Sequence, residues 1–195
     1  MRVLLDTNVI VSAVTTRGLC ADVFRAVAFV VRKCRDLEVV FDARLACRDR
    51  IVDLAREHGV ADRVRLEPGS TAGRLASADL VVAPSGLGAD TRPVLEAMAS
   101  GLPVVACRGE DAGSLIDHQR TGVLVPPGDA QALAWAVLDL VQWPAHARAL
   151  GTAACAWVER HHRLDTMVAA FERLYLDGQP GRLAVVAQRS EVAAS

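Results

Sequence analysis

Aromatic side chains are scarce in this chain: one tyrosine, three tryptophans and four phenylalanines make up 4% of 195 residues. Apolar residues nevertheless reach 52%, so the core has to be built from alanine, valine and leucine. Charge of one sign is also lacking, because 22 basic residues face 23 acidic ones and the net charge is −1. No long-range field then steers nucleic acid or an anionic membrane, and no nucleic-acid partner is expected. The five cysteines (Cys20, Cys34, Cys47, Cys107 and Cys155) are odd in number, widely spaced and without a Cys-x-x-Cys pair. They argue against a disulfide frame or a zinc site and read as reduced core thiols of a cytoplasmic protein. No apolar stretch is long enough to span a membrane. The N-terminal apolar run carries Asp6 and Asn8 and lacks a small-residue cleavage site, which excludes a signal peptide. His161-His162 is not read as a metal pair, since adjacent residues on a helix point apart. Internal repeats are absent.

What the sequence does contain is alternation. A first strand is expected within residues 2–14, then a helix over Leu19–Lys33 with Val23, Ala26, Val27 and Val30 on one face. A strand over Leu37–Phe41, a helix over Arg48–His58 ended by Gly59, and a short strand over Val64–Leu66 follow. Further on come a short helix around Ala112–Ile116 and a strand over Val123–Val125. Asp129 is a suitable N-cap for a helix that turns Leu133, Val137, Leu140 and Val141 inward. Pro144 restarts a helix that runs to about His161, and Leu164–Leu176 closes the pattern. Such alternation predicts an α/β fold, a Rossmann-like doubly wound parallel sheet with right-handed crossovers. Residues 177–195 read as a flexible tail. The length suits one domain plus tails.

The chemistry concentrates in Ala78–Ala106, read as strand, glycine loop, helix, tight turn and strand. Leu80–Ala83 is an unbroken apolar run, as a buried parallel strand requires. Pro93 suits the first helical position, Gly101 stops the helix, and Pro103-Val104-Val105-Ala106 begins the next strand. A βαβ unit of this kind puts its loop and helix N-terminus at the carboxyl edge of the sheet, where open α/β folds bind ligands. Free N–H groups and the helix dipole favour an anion there, with phosphate the commonest candidate. Gly86 and Gly88 permit close backbone approach, and Ser85, Thr91 and Arg92 add donors. Glu96 would accept hydrogen bonds from ribose hydroxyls, or else simply complement the helix dipole.

At these residues the sequence resembles a family. Ala-Asp-Leu-Val-Val-Ala-Pro-Ser followed by Leu-Glu-Ala-Met-Ala-Ser-Gly-Leu-Pro-Val-Val-Ala is similar to the donor-binding half of retaining GT-B glycosyltransferases of the family 4 type. Arg56–Leu66, Arg120–Asp129, Trp157–His161 and Ala170–Tyr175 extend the resemblance, which covers roughly residues 28–176. It implies a single GT-B half that binds a nucleoside-diphosphate sugar and needs no cofactor. Sugar transfer to an acceptor would be completed by an acceptor-binding partner chain. The family carries two glutamates separated by seven residues; Glu96 matches the second, and Gly88 stands at the first. Asp90 is then the candidate catalytic carboxylate near the sugar. Glu110-Asp111 replaces a glycine pair. Of the basic pair expected after the first strand, Ala13 holds one position and Arg17 the other. The resemblance assigns Ser85, Gly86, Gly88, Thr91, Arg92 and Arg17 to the phosphates and Glu96 to the ribose. The basic run Arg32-Lys33-Cys34-Arg35 is either a solvated helix end or a peripheral membrane contact.

Residues 1–27 resemble something different, the opening of a PIN-domain ribonuclease: Met-Arg-Val-Leu-Leu-Asp-Thr-Asn-Val-Ile-Val-Ser-Ala and its continuation to Val27. There Asp6 would be the first of several carboxylates binding a divalent metal. One aspartate is not a cluster, and no metal is expected on the leading reading. The expected organisation is a PIN-like head over 1–27, a donor-binding domain over 28–176 and the tail over 177–195. Three functions follow: a glycosyltransferase domain, a non-catalytic nucleotide-binding remnant, or a metal-dependent endoribonuclease.

Overall fold

Apolar runs of three or four residues, too short for helices, become parallel strands, and the amphipathic segments between them become the covering helices. The structure is a computed structural model that describes residues 2–5, 19–34, 36–41, 48–67, 71–83 and 91–176. In chain order the elements are β1 (Arg2–Leu5), α1 (Leu19–Lys33), β2 (Glu38–Phe41), α2 (Arg48–Glu57), β3 (Val64–Leu66), α3 (Thr71–Leu75) and β4 (Leu80–Ala83). They continue with α4 (Arg92–Ala99), β5 (Val104–Cys107), α5 (Glu110–Leu115), β6 (Val123–Val125), α6 (Ala130–Gln142), α7 (Pro144–His161) and α8 (Leu164–Leu176). The strands form one sheet in the order β3-β2-β1-β4-β5-β6. Every pairing is parallel. The order reverses between β1 and β4, where Leu5 lies opposite Val82. That is the switch point at which such sheets bind ligands. The fold is the Rossmann-like doubly wound sheet that the alternation predicts.

The two faces of the sheet are covered by different helices. Val39, Phe41, Leu80, Val82, Val105, Cys107, Val123 and Val125 pack with Val23, Val27 and Val30 of α1 and Leu133, Val137 and Leu140 of α6. Ile51 and Leu54 of α2 join the same cluster, in which Phe24 stacks on Phe41 at 5.2 Å. An apolar gap remains under α1 and α6, lined by residues such as Val23, Ala26, Leu37 and Val137. With no polar group to fix a ligand, it is a packing defect of a core poor in aromatics. On the other face α4 lies over β4 and β5. It buries Val94, Ala97 and Met98 there.

Helix ends follow the punctuation in the sequence. Asp129 caps α6 by accepting from the Ala132 N–H at 2.8 Å. Gly59 adopts φ +67° and the Val60 N–H reaches back to the Ala55 carbonyl, a Schellman ending for α2. Three details depart from expectation. Arg92 is already helical, so Pro93 occupies the second helical position, where its missing N–H is equally harmless. The strand expected from Leu37 starts at Glu38. Helix α3 was not signalled, because Thr-Ala-Gly-Arg-Leu is one turn long and has no period.

The chain divides into two compact units, residues 1–157 and 158–195. In the second, α8 exposes Leu164, Met167, Val168, Phe171 and Tyr175 along one stripe. His162 is held below the usual histidine range by partial burial and by the neighbouring charge of His161. Among the described residues no helix is long and apolar enough to cross a membrane.

Candidate ligand-binding site at the carboxyl edge of the sheet

The site is built on β4, α4 and β5. Register puts Val81, Val82 and Ala83 beside Val104, Val105 and Ala106, so both strands end at one edge. α4 packs across both and starts at that edge. Its first intrahelical bond runs from the Leu95 N–H to the Thr91 carbonyl at 3.1 Å. The N–H groups of Arg92 and Val94 precede that bond, and Pro93 contributes none. Thr91 takes up the N-cap position, but its hydroxyl makes no capping bond. The Thr91 side chain therefore does not close the positive end of the helix dipole, the end that favours an anion.

Three of the anticipated site residues are brought together here. Thr91 is half-buried, Arg92 is exposed on the first turn, and Glu96 is exposed one turn later. Arg92 and Glu96 stand four residues apart, which places them on one helical face. The other anticipated residues (Asp90, Ser85, Gly86, Gly88 and Arg17, with Asp6 of the metal alternative) lie outside the described residues. Among the described residues, no group of three or more histidine, cysteine, aspartate or glutamate side chains is arranged to hold a metal.

The opposite end of α4 is tightly closed. The Gly101 N–H donates to the Met98 carbonyl at 3.0 Å and the Leu102 N–H to the Ala97 carbonyl at 3.1 Å, with Gly101 at φ +72°. These bonds make a second Schellman ending. The Ser100 N–H and hydroxyl both donate to the Glu96 carbonyl, at 3.0 and 2.8 Å. α7 lies directly against this turn. A Cβ on Gly151 would overlap the Gly101 carbonyl oxygen and come within 2.9 Å of its carbonyl carbon. The Cys155 thiol donates to the Ala99 carbonyl at 3.3 Å.

Reasoning from the sequence missed one basic residue at the binding edge. Arg108 follows β5 directly, is exposed, and has its N–H fixed to the Val125 carbonyl at 2.6 Å. No local motif marks it; only the strand register reveals where it stands. The preceding Cys107 is buried, and burial together with the charge of Asp22 pushes its thiol up to about 11. It is a neutral core group rather than a nucleophile.

A doubly wound parallel sheet with α4 starting at its carboxyl edge is the architecture of one half of a GT-B protein. The chain belongs to the glycosyl transferases group 1 family, whose model matches residues 12–142. It is 34% identical over 127 residues to the GDP-mannose-dependent alpha-(1-6)-phosphatidylinositol monomannoside mannosyltransferase of Mycobacterium tuberculosis, covering 60% of this chain and 33% of that protein. Its fold matches the C-terminal domain of a group 1 glycosyl transferase from Francisella tularensis with a TM-score of 0.70 at 17% identity, covering 84% of this chain and 86% of that one. It also matches Anabaena HepE in complex with UDP and glucose, at a TM-score of 0.74 and 20% identity, over 89% of this chain and 47% of that one. The chain spans about a third or less of the length of the curated relatives it matches.

Proposed function

We propose that this chain is the donor half of a retaining glycosyltransferase and binds a nucleoside-diphosphate sugar at the carboxyl edge of β4 and β5. The observation that carries this reading is the N-terminus of α4 at the carboxyl edge of the sheet, with Thr91 at its cap making no side-chain bond and Glu96 exposed one turn inside. In this reading the α4 N–H groups, Ser85, Gly86, Gly88, Thr91, Arg92 and Arg17 hold the diphosphate. Glu96 accepts from the ribose hydroxyls, and Asp90 faces the transferred sugar. Catalysis of this kind consists of aligning donor with acceptor and stabilising the departing diphosphate. Helix N–H groups and basic side chains supply that stabilisation, so no bound metal is required. Support comes from family membership, from a relative named for GDP-mannose and from a fold neighbour bound to UDP.

Transfer needs a second half to bind the acceptor, supplied by chain beyond these residues or by a partner. The site of action is the cytoplasm. The last turn of α1 offers a peripheral membrane contact, where Lys33 Nζ lies 5.9 Å from the Phe29 ring centre and Phe29 packs edge-on against exposed Trp135. Calorimetric titration with UDP, GDP and ADP in the absence of metal tests the donor site. The expected result is binding of one nucleotide that Glu96→Ala weakens roughly tenfold, as loss of a charge-assisted hydrogen bond would. Absence of binding by all three nucleotides would end this reading.

A further inference from the structure

We infer that Arg108 is a further cation that receives the donor's diphosphate, an assignment that rests on the donor-site reading above. Side chains alternate across the sheet: Val105 and Cys107 belong to the cluster under α1 and α6, whereas Val104 and Ala106 fall on the opposite face. The Arg108 N–H continues the β5–β6 ladder through its bond to the Val125 carbonyl, so the alternation extends to position 108. Arg108 therefore stands on the face covered by α4, two residues beyond Ala106, at the edge where α4 begins. Its backbone is held on both sides, because the following Gly109 carbonyl accepts from the Gly113 N–H at 2.8 Å. Gly109 brings no side chain, and the space where one would stand is open.

Charge at this edge calls for such a residue. Exposed arginines elsewhere in the sheet unit are commonly neutralised: Arg25 by Asp22, Arg56 by Asp53, Arg65 by Glu38 and Arg120 by Asp117. Arg108 makes no ion pair or side-chain hydrogen bond with any described residue. A cation without an ion pair at the ligand edge of the sheet is available to an anion that arrives there. Pro93 removes one N–H from the first turn of α4, so the helix end offers fewer donors than a diphosphate has oxygens. A guanidinium fork fits two phosphate oxygens at once, and it opposes the charge that builds on a departing diphosphate.

The test is calorimetric titration of the full chain, its Arg108→Ala variant and its Arg108→Lys variant with UDP, GDP and ADP and with their monophosphates. The wild type is expected to prefer the diphosphate of its chosen base. Arg108→Ala should lose roughly ten- to a hundredfold in diphosphate affinity, as expected for hydrogen bonds to a charged group. The monophosphate should lose far less, so the preference itself disappears. Arg108→Lys should restore part of it, with the charge but without the fork, and all three proteins should melt alike. Unchanged diphosphate binding by Arg108→Ala, or an equal loss for mono- and diphosphate, overturns the assignment of Arg108 alone. Failure of the wild type to bind any of the nucleotides instead refutes the donor-site reading on which the assignment stands.

Discussion

The two ends of α4 are made differently. At the amino edge of the sheet the helix is closed by a Schellman turn and pinned by α7, with Gly151 against Gly101 and the Cys155 thiol on Ala99. At the carboxyl edge it begins with a Thr91 hydroxyl that makes no cap bond, and Arg92 and Glu96 are exposed. One end is closed by its own backbone groups, and the other makes no cap bond from the side chain at its N-cap. A helix needs both conditions to serve as a binding element: a fixed position, and donors that nothing in the fold has consumed. Stability should therefore respond to changes at the closed end, and binding to changes at the open end.

The largest stability effect belongs to Gly151→Ala. Helix propensity alone would favour alanine by about 1 kcal/mol. The new methyl, however, would meet the backbone of Gly101, which no rotamer can avoid. Overpacking against backbone should dominate and leave a net loss of about 2–3 kcal/mol, read as a lower urea midpoint. A neutral or stabilising result would mean that α7 is not pinned to this turn.

Next in size is a pH effect that marks where the core stops and the open edge begins. Burial raises the folded pKa of the Cys107 thiol from an ordinary 9.0 to about 11. A raised pKa favours the protonated thiol in the folded state, so this contribution is complete below pH 9 and is lost as pH rises towards 11. Two pKa units correspond to about 2–3 kcal/mol. Urea denaturation from pH 7 to 11 should show this decline in the wild type and a shallower one in Cys107→Ala. Parallel curves would place Cys107 in contact with water, and the open edge would then begin one residue earlier than Arg108.

Gly101→Ala ranks third. No atom lies within 4 Å of the added methyl, so the cost is purely that of holding alanine at φ +72°. It should amount to about 1–2 kcal/mol by thermal or chemical denaturation, with nucleotide binding preserved.

How much of this could be read in the sequence depends on the kind of signal. Gly59, Gly101, Asp129 and Pro144 announced their helix ends because each has a local backbone reason to be there. The α1 and α6 faces were legible from period alone, through Val23, Val27, Val30, Leu133 and Val137. α3 was invisible, since a five-residue helix containing glycine carries no period. Near the site, Glu96 lies in the first turns of α4, as the βαβ reading expected, whereas Arg92, read as a loop donor, is already helical and Thr91 is the N-cap. Arg108 went unnoticed for a physical reason. A basic residue after a strand looks like any loop arginine until the register shows which face and which edge it occupies.

The smallest effect isolates the open end itself, and it needs a matched pair of caps. Asp129 and Thr91 hold the same position on α6 and α4, but only Asp129 accepts a hydrogen bond from its helix. Asp129→Ala should cost about 1 kcal/mol, the usual value of a working cap. Thr91→Ala removes a hydroxyl that caps nothing, and the same measurement should move by less than about 0.5 kcal/mol, the usual range for a substitution away from such features. An equal loss at both positions would mean that Thr91 closes the helix in solution and leaves no donors free. If the difference holds, the idle Thr91 hydroxyl is a standing property of the fold. Adding the nucleotide that binds should then stabilise the wild type by mass action. Thr91→Ala should gain less, because its hydroxyl is idle only until a phosphate is present.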